Sequence, residues 1–219
     1  MIRAVLFDLD GTLLDRDATV QCVAESQYDA FRASLATVAP GDFIARVLEL
    51  DDHGHGDKMD VYATVADELN LSRDLSSRLV ADFWARYRGC CRPAAGAVET
   101  LHELRRRGLK VGVITNGRET VQQQAIEALA LGPLDALLIS EVEDVRKPEP
   151  EIFHRAARRL GLRPDECCYV GDHPSIDVDA AMAAGMQAVW KRVPYWPHPA
   201  ASVPVIEALP QVVGLYEGA

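Results

Sequence analysis

Two aspartates stand two positions apart in FDLDGTLLD, residues 7–15, at the end of an apolar run. In extended backbone, residues two apart project to the same side, so Asp8 and Asp10 face one space. Like charges held that way repel, so either one carboxyl keeps its proton or a cation binds. Gly11 and Thr12 follow with the composition of a tight turn. A strand end carrying paired carboxylates is suited to a ligand or metal site; the plainer alternative is a solvated acidic turn.

Three later stretches add to this pair. In ITNG, residues 114–117, Thr115 offers a hydroxyl, and Asn116 and Gly117 offer backbone N–H groups where a helix begins, which is an anion site. The same letters also describe an ordinary turn with a helix cap. In VRKPEPEIF, residues 145–153, Pro148 disfavours helix at Lys147 and keeps it in an extended loop, while Pro150 suits the first turn of the next helix. A lysine held there can aim a compact positive charge at a phosphoryl oxygen, or it can be a surface lysine. In YVGDHPSIDVDAAMAAGM, residues 169–186, Asp172 ends a buried run as Asp8 does, and Asp177 comes near a helix start. Asp177 is either a favourable acid at a helix N-terminus or a second carboxylate beside a cation. Magnesium takes hard oxygen ligands, usually one or two carboxylates with waters and phosphate. Asp8, Asp172 and the main-chain carbonyl of Asp10 make a suitable set.

These residues need elements to hold them. Apolar runs at residues 3–7, 110–115, 136–140, 167–171 and 186–190 read as buried strands of a parallel sheet. Helical patterns at 96–107, 151–160 and 175–184 stop at Gly108, Gly161 and Gly185, where helix-ending glycines belong. The alternation predicts an α/β fold with a three-layer, Rossmann-like core. Residues 16–92 break the rhythm with four consecutive helical patterns, the first carried by Val20 to Leu35 and the last by Leu75 to Tyr87. The expected organisation is a core of residues 1–15 and 93–219 with an inserted four-helix cap domain, residues 16–92. Two chain crossings joining them permit hinge motion. The proline-dense stretch 194–210 reads as irregular surface, and 211–216 as a short helix.

In this order, acid pair, hydroxyl turn, lysine and acid pair, the four stretches resemble the motifs of the haloacid dehalogenase superfamily. The resemblance covers residues 1–15 and about 93–190, and the insert resembles the family's helical cap placed after the first motif. It implies a magnesium-dependent phosphatase-type hydrolase acting through an aspartyl-phosphate. Asp8 is then the nucleophile, and Asp10 the general acid for the leaving oxygen and later the base for water. Thr115 and the N–H groups of Asn116 and Gly117 hold phosphoryl oxygens, and Lys147 offsets charge. Asp8, Asp10 and Asp172 ligate Mg2+, and Asp177 orients Lys147 or a metal-bound water. A helical cap closing over the site favours a small phosphorylated metabolite. A sugar phosphomutase would share every core motif. A dehalogenase of this fold has no use for the acid at Asp10, and a phosphonate hydrolase would need a cap lysine, for which Lys58 is the candidate. A binding module on an inactive scaffold would not need the full set of Asp8, Asp10, Lys147 and Asp172.

Composition narrows the partners. The 219 residues are 48% hydrophobic and 26% charged, the balance of a globule. The net charge of −10 argues against a nucleic-acid-binding surface. No apolar run of about 18 residues appears and the N-terminus does not read as a signal peptide, so a cytoplasmic protein, monomer or homodimer, is expected. Five cysteines, two pairs of them vicinal, favour reduced, buried thiols over a disulfide framework or zinc site. In the cap, LDDHGHGDK at residues 50–58 reads as a polar connection or as a loop in which His53, His55 and Lys58 tune specificity or bind a metal.

Overall fold

The computed structural model describes residues 1–216, the Arg73 side chain excepted; residues 217–219, the end of the expected core, lie outside the described residues. The chain opens with β1 (Ala4–Phe7) and then runs through four helices, α1 (Arg16–Ala30), α2 (Pro40–Asp51), α3 (Lys58–Glu68) and α4 (Arg73–Cys90). There follow α5 (Ala97–Arg106), β2 (Lys110–Thr115), α6 (Glu119–Ala128), β3 (Ala136–Ile139), the one-turn α7 (Ser140–Glu143) and α8 (Pro150–Leu160). The last part holds β4 (Cys167–Gly171), a π-type turn over Pro174–Asp179 that runs into α9 (Ala180–Ala183), β5 (Gln187–Lys191), β6 (Val205–Ile206) and α10 (Gln211–Gly214). It divides into two compact units, Met1–Leu14 with Pro93–Ala219, and Asp15–Arg92.

The first unit is an α/β, Rossmann-like core. Its six strands lie in the order β3-β2-β1-β4-β5-β6, all parallel. Every residue of β1 and β4 is buried, as strands covered on both faces must be, which explains their apolar runs without alternation. On α8 the residues Ile152, Phe153, Ala156, Ala157 and Leu160 are buried, a helical stripe, and the Phe153 ring meets Tyr169 of β4 edge-on with centroids 5.1 Å apart. The chain lays down β1, β2 and β3 outward in one direction, then returns to place β4 on the other side of β1. Ligands bind outside the carboxyl ends of strands at such a reversal. Register pairs Phe7 with Val170, so Asp8 and Asp172 leave adjacent strands at nearly the same level.

Two expectations for this unit need correction. The proline-dense stretch is not wholly irregular: Val205 and Ile206 form β6, paired with Trp190 and Lys191. Two residues are too few to leave a pattern, and an edge strand tolerates prolines beside it. The helix expected over 175–184 starts as a wider turn with Pro174 in its first turn, and only Ala180–Ala183 is α-helical.

The second unit is helical. Asp15 belongs to it because its side chain accepts from the backbone N–H of Ala18 at 3.0 Å and so caps α1. Asp57 caps α3 and Ser72 caps α4 in the same way. The first helix ends at Ala30, short of the expected Leu35, where the N–H of Phe31 returns to the Gln27 carbonyl. Inside, Gln27 donates to the Leu79 carbonyl at 2.7 Å and accepts from the Tyr62 hydroxyl at 2.5 Å, which satisfies a buried amide between α1, α3 and α4.

Cysteine usage is also corrected. Cys22 of α1 and Cys90 of α4 form a disulfide across 68 residues of chain, while Cys91, Cys167 and Cys168 are thiols. A separation of 68 residues leaves no local spacing signal, and only the packing of α1 against α4 brings the two cysteines together. The 50–58 stretch is exposed at Asp52, Gly54, His55 and Asp57, as a polar connection would be, but it is anchored near its two ends. Asp51 and Lys58 are buried, and Asp51 takes both Arg16, at 3.0 Å, and Lys58. Burial pushes the Asp51 carboxyl up, but the two cations together outweigh it and hold the group below its ordinary value. His53 turns its Nδ1 to Asp17 at 3.0 Å. Among the described residues no helix is long and apolar enough to cross a membrane.

Candidate active site

The site lies within the α/β unit, on the connections that leave the carboxyl ends of β1, β2, β3 and β4. Asp8 follows β1 directly, its N–H bonded to the Val170 carbonyl of β4 at 2.9 Å. The chain then turns tightly. Gly11 has a φ of +80°, and a Cβ there would lie 2.6 Å from Asp172 Oδ2, so only glycine lets the turn pass the second carboxylate. Asp172 follows the last residue of β4 in the same manner. Thr12 donates to its Oδ1 at 3.3 Å, and the indole of Trp190 on β5 donates to its main-chain carbonyl at 2.7 Å.

Lys147 is the hub. Its ammonium donates to Asp8 Oδ1 at 2.5 Å, Asp177 Oδ1 at 2.7 Å and the Tyr169 hydroxyl at 2.8 Å. An ammonium has three hydrogens, and these partners take all of them. The backbone of Lys147 is clamped by Asn116, whose side chain donates to the Lys147 carbonyl and accepts from its N–H, each at 2.9 Å. Pro150 opens α8, as the sequence requires. Asp177 uses its other oxygen to accept from the His173 N–H at 3.0 Å.

Two carboxylates therefore meet one ammonium at the centre, with the carboxylate of Asp172 close to both. One oxygen each from Asp8, Asp172 and Asp177 lies within 4.8 Å of the others, and all three residues are buried. Burial pushes the Asp8 carboxyl well above the ordinary carboxylate range; Lys147 opposes this, and Asp177 and Asp172 add to it. Burial and then Asp177 push Asp172 up to about 7, against the pull of Lys191 and Lys147. Lys147 loses by burial but gains more from Asp177 and Asp8, so it stays firmly charged. An excess of buried hard-oxygen charge is what a small divalent cation neutralises, so these residues fit magnesium.

The structure brings Asp8, Lys147, Asp172 and Asp177 into direct contact or within a few ångströms. Asp10 stands at the same turn, half-buried, and accepts from Gln122 of α6 at 3.1 Å. Thr115 is fully buried at the end of β2. One expected donor is otherwise engaged: the N–H of Gly117 donates to the Ser140 hydroxyl at 3.0 Å, so it does not stand ready for a phosphoryl oxygen. Gly117 has a different demand on it, since its φ is +148° and a Cβ would run into the Gln122 amide. Tyr169, Gln122, Thr12 and Trp190 were missed by sequence reasoning as parts of the site. Tyr169 alone left a signal: a phenol inside an otherwise apolar strand must find a partner for its hydroxyl.

Residues 2–185 match the haloacid dehalogenase-like hydrolase family. The chain is 31% identical over 202 residues to a glyceraldehyde 3-phosphate phosphatase of Methanopyrus kandleri, covering 86% of this chain and 83% of that one. It is 31% identical over 193 residues to a phosphoglycolate phosphatase of Xylella fastidiosa, covering 85% and 79%. The crystal structure of a HAD phosphatase from Thermococcus onnurineus superposes with a TM-score of 0.69 at 27% identity, covering 99% of each chain. The chain belongs to the haloacid dehalogenase-like hydrolase family. Within it, the chain is an enzyme of the phosphoric monoester hydrolase type.

Proposed function

We propose that the protein is a magnesium-dependent phosphatase of a small phosphorylated metabolite, working through a phosphoryl group carried on Asp8. The observation that carries this is the buried cluster in which Lys147 Nζ lies 2.5 Å from Asp8 Oδ1, with oxygens of Asp172 and Asp177 grouped around it. Asp8, Asp172 and the Asp10 carbonyl would hold the cation, which supplies charge neutralisation for phosphate and nucleophile.

Asp8 attacks phosphorus in line and becomes an acyl phosphate. Lys147 keeps Asp8 oriented and offsets the charge that gathers between them. Asp10 gives a proton to the departing oxygen, then takes one from the water that attacks the acyl phosphate. The Thr115 hydroxyl and the Asn116 N–H hold phosphoryl oxygens, and the Asn116 side chain fixes Lys147 from behind. Asp177 anchors Lys147.

The test is hydrolysis of a panel of phosphorylated metabolites and an aryl phosphate with magnesium, with EDTA and Asp8→Asn as controls. Turnover of one class of metabolite, lost with EDTA and by many orders of magnitude in Asp8→Asn, is expected. Absence of turnover by the wild type, or undiminished turnover by Asp8→Asn, would refute the reading.

A further inference from the structure

We infer that Gln122 is a positioning residue for the proton-transfer step, holding the Asp10 carboxyl by one of its oxygens in the orientation that step needs. The inference rests on the reading of Asp10 as acid and base given above.

Gln122 lies on α6 and is only 4% exposed. Its Nε2 stands between two oxygens, Asn116 O at 3.0 Å and Asp10 Oδ2 at 3.1 Å. Both are acceptors, so only the NH2 end of the amide can sit there; the reverse orientation would press oxygen against two oxygens. The direction of the amide is thus set by the Asn116 carbonyl, whatever Asp10 does. Oδ2 of Asp10 therefore receives an N–H whose direction does not depend on the state of Asp10, and the contact holds that end of the carboxyl in place.

The arrangement is costly elsewhere. With the NH2 end committed, Gln122 Oε1 is buried and lacks a hydrogen-bond partner among the described residues. An orphaned buried acceptor opposes stability, and such exceptions call for a functional reason. The backbone makes room for the same amide: Gly117 takes a left-handed φ of +148°, and any side chain there would displace Nε2. Gln122 thus braces Asp10 from a helix 112 residues away in sequence, with Asn116 and Gly117 setting the place of its amide.

The test compares wild type, Gln122→Ala, Gln122→Met and Asp10→Asn on phosphate monoesters whose leaving groups span a range of basicity, from nitrophenyl to alkyl. The reading is kcat/KM, which covers steps through transfer to Asp8. A leaving group that departs readily as an anion needs no proton, whereas an alkoxide does. Both Gln122 variants should lose about ten- to a hundredfold on alkyl esters and little on the nitrophenyl ester, a milder copy of Asp10→Asn. Gln122→Met keeps the volume and removes the orphaned oxygen, which offsets the loss of its N–H to the Asn116 carbonyl and Asp10, so its melting temperature should stay close to that of the wild type. Equal losses across all leaving groups would make Gln122 merely structural and overturn the inference. If Asp10→Asn is selective and the Gln122 variants are not, the inference alone fails. If Asp10→Asn is itself unselective, the acid–base reading of Asp10 fails and takes the inference with it.

Discussion

The ammonium of Lys147 and the hydroxyl of Tyr169 are 2.8 Å apart, and the same hydroxyl lies 2.9 Å from the Ile114 carbonyl, to which it donates. Tyr169 thus ties the lysine of one loop to the strand that ends at Thr115. Burial, then Asp177 and Asp8, hold the phenol well above its ordinary pKa, so it remains a neutral donor to the carbonyl and acceptor from the lysine. Lys147→Met should cost about 2–4 kcal/mol of transition-state stabilisation, as loss of a single electrostatic stabiliser does. Tyr169→Phe keeps the ring but strands a buried N–H and a buried carbonyl, so it should cost about 1–3 kcal/mol of folding stability and a smaller factor in rate. Chemical denaturation and kcat/KM for both variants check this. A Tyr169→Phe protein as slow as Lys147→Met would mean that the hydroxyl itself takes part in the reaction.

Magnesium and protons should compete at Asp172. Its folded-state value of about 7 lies above the roughly 3.9 of an unfolded aspartate. Between those values the folded protein holds a proton that the unfolded chain has released. The stability contributed by this group is therefore full below the unfolded value and falls as pH rises through about 7. A cation that needs the carboxylate gains over the same range. The rise in melting temperature caused by magnesium should be larger at about pH 8 than at about pH 6, measured by scanning fluorimetry at fixed salt. An equal rise at both, or a larger one in acid, would remove Asp172 from the ligand set.

Reduction should weaken the helical unit. The Cys22–Cys90 bridge closes 68 residues, and opening a loop of that size typically costs about 2–4 kcal/mol. Adding a thiol reductant, or making Cys22→Ser with Cys90→Ser, should lower the melting temperature by several degrees, at about 2–4 °C per kcal/mol for a chain of this length. Reductant should leave the double variant unchanged. A wild type indifferent to reductant would show that the bridge contributes nothing to stability.

The division between what could be read from the chain and what could not follows from the range of the interactions. Asp8 and Asp172 were legible because a buried apolar run that halts at an acid is a local event, and parallel strands deliver their carboxyl ends to one edge. Lys147 was legible because Pro148 and Pro150 punctuate the loop that holds it. The α/β core and the four-helix insert were legible because periodicity and terminal glycines act within a few residues. The sheet order, however, is set by which strands bury each other. Only that order brings Asp8 and Asp172 together across adjacent strands. The amide of Gln122 on Asp10, the hydroxyl of Tyr169 on Lys147, the Ser140 hydroxyl on Gly117 and the Cys22–Cys90 bridge are all contacts between distant segments. The sequence by itself determined which residues carry charge and where each strand stops. Tertiary packing decided which donors meet which acceptors, because a hydrogen bond depends on a distance and an angle that no stretch of chain specifies alone.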